Sequence, residues 1–244
     1  MTDKPLVEIW VYLSTLPLFG LTATLVAYLL AYRIYQAVGG NPLLNPVAVA
    51  VALLIALLQL TGIDYQAYFE GAKFVHFILG PATVALAVPL YQQLGKLRRI
   101  WLPVLISVIM GGSVASLSAI VVARWLGGSD EVLLSLAPKS VTAAVAMGIS
   151  EKIGGLPSLT AVLVIATGIV GAIVGNRLFD LIGISDDSEK GIAMGVTSHG
   201  IGTARAFQLN PEMGAFSGLA MALSAFSSAL LLPFLIQLVG FDSG

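Results

Sequence analysis

Residues 157–176 run for twenty positions without a charged side chain, about the length one helix needs to cross the hydrocarbon core of a bilayer. Runs of this kind recur along the chain and exclude an ordinary soluble fold. Only 10% of the residues are charged and 57% are hydrophobic, with a mean hydropathy of +0.95. A soluble domain carries roughly 25% charged residues to cover its surface. The expected fold is therefore an all-α, polytopic integral membrane protein, with residues 1–244 forming a single transmembrane transporter-like domain.

The length rule yields about eight membrane segments: residues 7–35, 45–60, 74–94, 100–126, 133–153, 157–181, 191–209 and 213–239. The first is too long for one straight span and is expected to divide at Pro17. Gly80-Pro81 and Pro89 interrupt the third. Lys96, Arg98 and Arg99 form the one clear basic turn, and the positive-inside rule puts it in the cytoplasm. If every segment crosses, both termini lie outside. A single re-entrant segment, with the fifth and seventh as the candidates, reverses everything after it.

Composition also narrows the chemistry. A net charge of −1 argues against nucleic acid, which needs a concentrated basic face. Cysteine is absent, which excludes disulfides and thiolate chemistry. His76 and His199 are far apart and show no metal-ligand spacing, so no metal or cofactor is expected. No nucleophile–base or carboxylate pair points to an enzyme. The first residues lack the pattern of a cleavable signal, and the first apolar segment is expected to stay in the membrane.

Two polar stretches sit inside this apolar sequence, and lipid cannot satisfy either. In the first, Lys139, Ser140 and Thr142 follow Pro138. Proline ends the preceding helix and suits a first turn, so a helix N-terminus from Lys139 onward would present free N–H groups beside an ammonium and two hydroxyls. That combination suits a carboxylate. Alternatively, Lys139 snorkels to an interface. The second stretch holds Ser198, His199, Thr203 and Arg205, with Gly200 and Gly202 allowing an unwound backbone. His199 either relays a proton or is a structural histidine bonded to a backbone carbonyl. Arg205 either holds a carboxylate with two parallel hydrogen bonds or sits at the interface. Asn45 before Pro46 is a helix cap and a weaker site candidate. Thr83 is another, because residues 80–88 echo residues 137–145. Duplicated halves with broken helices meeting at mid-bilayer are common in transporters. Gly168, Gly171 and Gly175 read as close helix packing.

Four motifs together, NPLLNP at 41–46, GPATVALAVPLY at 80–91, LAPKSVT at 136–142 and AMGVTSHGIGTAR at 193–205, resemble the LrgB/CidB family over nearly the whole chain. The resemblance implies a multi-pass protein of the bacterial cell membrane. Bacterial members are classed as antiholin- or holin-like, are tied to murein hydrolase export and lysis, and usually accompany a small membrane protein of the LrgA/CidA type. A plastid member is a glycolate/glycerate translocator, and some bacterial pairs are linked to pyruvate uptake. Two functions are therefore expected: carriage of a small monocarboxylate, or regulation of murein hydrolase export without a substrate of its own. A homo-oligomer is the expected assembly.

Overall fold

The computed structural model describes residues 18–238 and 240, which form helices and short connections, with no strand among the described residues. The expected division at Pro17 lies outside them. The chain is an all-α integral membrane protein. Four stretches, Tyr65–Gln92, Leu94–Trp125, Pro157–Ile182 and Pro211–Leu238, are long and apolar enough to cross a bilayer. Val114, Val170 and Phe226 are exposed while Ser116, Ser217 and Ser224 are buried, the arrangement expected when the surrounding solvent is hydrocarbon.

Where the sequence suggests one domain, the chain divides into two compact units, one ending at Ala85 and one beginning at Leu86. The first contains α1 (Phe19–Ala37), a 3-10 turn (Pro42–Leu44), α2 (Pro46–Thr61) and α3 (Tyr65–Ala85). Gly20 lets α1 cross α3 closely, since a Cβ there would stand 2.7 Å from the Ala72 nitrogen. Thr24 Oγ1 lies 2.7 Å from the Tyr68 hydroxyl at the same crossing. Pro81 lies inside α3 and does not end it, so the expected interruption at Gly80-Pro81 is absent. The echoing residues 80–88 and 137–145 take different local structures.

The second unit contains α4 (Ala87–Gln92), α5 (Leu94–Trp125), α6 (Asp130–Leu136), α7 (Ala143–Ile153), α8 (Pro157–Ile182), α9 (Asp187–Leu209) and α10 (Pro211–Leu238). Three of these, α5, α8 and α10, run its full length. The fifth segment of the sequence does not cross. Ser135 and Leu156 are 21 residues apart, ~30 Å along a straight helix, yet the Leu156 N–H donates to Ser135 Oγ at 2.8 Å. Thr160 Oγ1 donates to the Ser135 carbonyl at 2.9 Å and lies 2.7 Å from Ser150 Oγ. Ser135, Ser150 and Thr160 are fully buried. Their hydroxyls tie the base of a re-entrant hairpin made of α6 and α7.

The seventh segment also turns back. A Cβ on Gly202 would stand 2.9 Å from the Met194 carbonyl oxygen, eight residues earlier, which is ~12 Å away in a straight helix. Gly191 and Gly195 pack on Phe216 and Ala220, whereas further along Thr203 meets Ser217 and Phe207 meets Gly214. The first leg of α9 therefore runs parallel to α10 and the second runs antiparallel. At the base, Lys96 Nζ donates to Asp186 Oδ2 and Glu212 Oε1, both at 2.8 Å. One ammonium thus clasps the residue before α9 and the first turn of α10. It also lies 5.9 Å from the centre of the Phe216 ring.

The two hairpins enter from opposite ends of the unit. The first packs on Ile120 near the end of α5, Val164 in the first third of α8, and Leu232 near the end of α10. The second packs on Val104 and Val108 early in α5, Phe179 late in α8, and Met213 and Ala220 early in α10. Two reversals cancel, so the C-terminal end of α10 stays on the side expected from eight crossings. The connections at 154–156 and 183–186 exchange sides.

The chain has no cysteine, so single cysteines report topology cleanly. With the basic turn in the cytoplasm, Lys152→Cys is expected to react with an impermeant thiol reagent from outside and Ser185→Cys only from inside. The opposite pattern would restore two ordinary crossings. The Lys96 ammonium and the Ser188 hydroxyl hold the Asp186 carboxyl below the usual carboxylate range, so its stabilisation is present above that range and is lost as pH falls. Lys96→Met is expected to cost ~1 kcal/mol or less at neutral pH, the range for partly exposed pairs, and to flatten the acid-side loss in thermal unfolding.

Candidate functional site

Both polar stretches fall at hairpin tips. In the first, α6 ends at Leu136 and two tight turns follow, with the Lys139 N–H bonded to the Leu136 carbonyl at 3.1 Å and the Val141 N–H to the Pro138 carbonyl at 3.2 Å. Thr142 is extended (φ −59°, ψ 144°) and α7 begins at Ala143. The helix expected from Lys139 thus starts four residues later, because reversing the chain consumes the intervening turns. Lys139 is half-buried at this tip, with Nζ 3.2 Å from the buried Ser140 Oγ. Among the described residues, no carboxylate lies within ion-pair distance of it.

The second tip is His199, the only non-glycine among the described residues with positive φ (φ 40°, ψ −131°). Such a conformation costs roughly 1–3 kcal/mol and persists only where the surroundings hold it. Here the ring and the backbone are both fixed. His199 Nε2 lies 2.9 Å from the Val164 carbonyl. A carbonyl can only accept, so Nε2 carries a proton and, in the neutral ring, Nδ1 is left as an acceptor. Thr203 Oγ1 donates to the His199 carbonyl at 2.8 Å and lies 2.9 Å from Ser217 Oγ. Ser198 Oγ is 3.1 Å from Thr197 Oγ1. Ser198, His199 and Thr203 are all buried.

The tips meet at Val164. Its side chain belongs to the same buried cluster as Ala137 and Val141 of the first hairpin, while its carbonyl bonds His199 of the second. The glycines of α8 make room for this meeting. A Cβ on Gly168 would stand 2.9 Å from His199 Nε2, and one on Gly171 would stand 2.8 Å from the Ser198 Cβ.

Arg205 is six residues beyond His199 on the returning leg, where its Nη1 donates to Gln208 Oε1 at 3.1 Å. Asn45 belongs to the first unit and caps α2, its Oδ1 accepting from the Val47 and Ala48 N–H groups at 2.9 and 3.3 Å. Thr83 lies in α3, with its side chain outside the described set. Val164 and Ser217 carry no signal of their own in the sequence. The glycine spacing in α8 does, but it does not say what is packed against.

Chemically, the meeting point offers an ammonium, hydroxyl groups and a ring nitrogen able to take a proton. Both returning legs begin at the tips, so two helix N-termini add positive potential there. The arrangement is complementary to a small anion. Among the described residues, no group of three His, Cys, Asp or Glu could hold a metal ion.

Residues 24–238 match the LrgB-like family. The chain belongs to that family. Similar proteins include the holin-like protein CidB of Staphylococcus aureus, 35% identical over 215 residues that cover 88% of this chain and 93% of that protein. The holin-like protein CidB of Staphylococcus epidermidis is 34% identical with the same coverage. The uncharacterized protein YwbG of Bacillus subtilis is 34% identical over 218 residues, 89% of this chain and 96% of that one. No solved structure matches. In LrgB-like terms, the motifs at 136–142 and 193–205 are the two hairpin tips.

The close approach of α8 makes a stability prediction. Gly171→Ala would press on Ser198 and is expected to destabilise the protein by roughly 1–3 kcal/mol, the usual cost of overpacking, as read by thermal unfolding in detergent. Gly148→Ala, with nothing within 4 Å of the added carbon, is expected to be neutral or slightly stabilising. Equal behaviour of the two variants would contradict the packing described.

Proposed function

We propose that this LrgB-like protein governs the passage of small solutes across the cell membrane, and that the solute it handles itself is a small monocarboxylate of the pyruvate, glycolate or glycerate type. The names of the CidB relatives support a holin-like role most directly. They say nothing of a substrate. The carboxylate reading rests on one observation, the half-buried Lys139 at the meeting point of two hairpin tips with no carboxylate beside it among the described residues. A lysine at membrane depth costs ~2.5–3.5 kcal/mol on insertion scales, and an anionic solute would offset that cost.

In this reading Lys139 neutralises the carboxylate, and Ser140 and Thr142 bond its oxygens from the first tip. Ser198 and Thr203 shape the second tip, where His199 Nδ1 takes a proton. Access alternates as one hairpin or the other gives way, consistent with discontinuous helices at mid-bilayer. We assign the protein no enzymatic step. The alternative is a holin-like component acting with a small LrgA/CidA-type protein or as a homo-oligomer, without a substrate of its own. The relatives' names favour it, and it has no need of Lys139.

Counterflow of labelled monocarboxylate into liposomes of purified protein separates the two. Saturable exchange that falls at least tenfold in Lys139→Ala, with partial retention in Lys139→Arg, is the expected result. Size-graded, non-saturable leak indifferent to Lys139 would leave the holin-like reading standing and remove the carrier.

A further inference from the structure

A half-open cavity of about 660 Å3 lies between α5 and the first leg of α9, its inner end bordered by Thr197, next to Ser198 of the second tip. Its lining changes with height. Lys96, Asp186 and Glu189 stand at the base, Ile100, Val104 and Ile192 form the walls, and Ser107 and Gly111 lie toward the inner end. From the kink at Ile100 to Gly111 along α5, and from Asp186 to Thr197 along α9, the lined stretch is eleven residues, ~16 Å of helix. Half of the hydrocarbon core of a bilayer is about 15 Å deep. The groove therefore has the depth of one leaflet's acyl layer, with charges at its mouth, apolar walls, and the Ser107 and Thr197 hydroxyls at its inner end.

The charges at the base select among headgroups. One ammonium faces two carboxylates, which leaves the mouth net negative. Lys96 is already engaged by Asp186 and Glu212. Glu189 is exposed and, among the described residues, in no ion pair. A net-anionic lipid meets repulsion at such a mouth, as does a small free carboxylate. A quaternary ammonium brings charge without an N–H to donate, whereas a primary ammonium brings three.

We infer that this groove seats one phospholipid from the leaflet on the Lys96 side, with a headgroup that ends in a primary ammonium. The ammonium meets Glu189, and an acyl chain runs along Ile100, Val104 and Ile192. The seated lipid fills the space between α5 and the second hairpin and steadies the hairpin's base. The inference does not depend on which solute the tips bind.

The test is thermal unfolding of the purified full-length protein in detergent with added phosphatidylethanolamine, phosphatidylcholine or phosphatidylglycerol, with retained lipid read by native mass spectrometry. Phosphatidylethanolamine is expected to raise the Tm most and to be retained at one per chain. Ser107→Trp, which obstructs the groove from an exposed position, and Glu189→Lys, which reverses the mouth charge, should each abolish the preference without lowering the lipid-free Tm. Should Ser107→Trp fail to fold, Glu189→Lys decides alone. An equal response to all three lipids, or a preference that survives Glu189→Lys, overturns the inference.

Discussion

Hydrocarbon cannot bond a free backbone amide or solvate an ammonium, and the second unit is arranged around that restriction. A helix broken in the middle of a bilayer exposes N–H and C=O groups that water would otherwise satisfy. Here each break is turned into a hairpin tip and pushed inward, where protein groups receive it. Val164 supplies a carbonyl to His199. Thr203 caps the carbonyl that the break at His199 leaves open. Because the hairpins come from opposite ends, each tip helps to shield the other from lipid.

Three long helices make this possible by being different along their length. In α8, Thr160 bonds the base of the first hairpin, Val164 joins both tips, and Gly168 and Gly171 admit the second tip. In α10, Ser217 meets the second hairpin and Leu232 meets the first. Their outward faces remain apolar. Polar groups of the second unit gather at the hairpin bases, where Ser135, Ser150 and Thr160 or Lys96, Asp186 and Glu212 close them, and at the tips, while Ser116, Ser224 and Ser228 lie along the packed helices. This geometry brings two hairpins in from opposite ends of the second unit. It suits the alternation of a carrier, and it is also compatible with a holin-like role of the kind the CidB names state.

Much of this was legible in the residues. Apolar length set the class, and the polar interruptions at 137–142 and 197–205 marked the breaks. The direction of the chain after each break was not legible. Crossing and re-entry place the same apolar residues in the same lipid, and only long-range contacts such as Leu156 to Ser135 distinguish them. The start of α7 at Ala143 is not legible for a related reason, since Pro138 signals that a helix stops but not how many residues the reversal takes. Arg205 and Asn45 carry the right chemistry for an anion site; in the structure Arg205 Nη1 donates to Gln208 Oε1 and Asn45 Oδ1 caps α2. Of the two sequence readings of His199, the structure shows the bond to a backbone carbonyl, that of Val164.

Spin labels in the reconstituted protein test the tip-to-tip arrangement most directly, by comparing the distance between Thr142→Cys and Gly200→Cys with that between Lys152→Cys and Glu189→Cys. The structure predicts a short distance for the tip pair and one near the thickness of the hydrocarbon core, ~30 Å, for the base pair. Tips as far apart as the bases, or bases on one face, would contradict it.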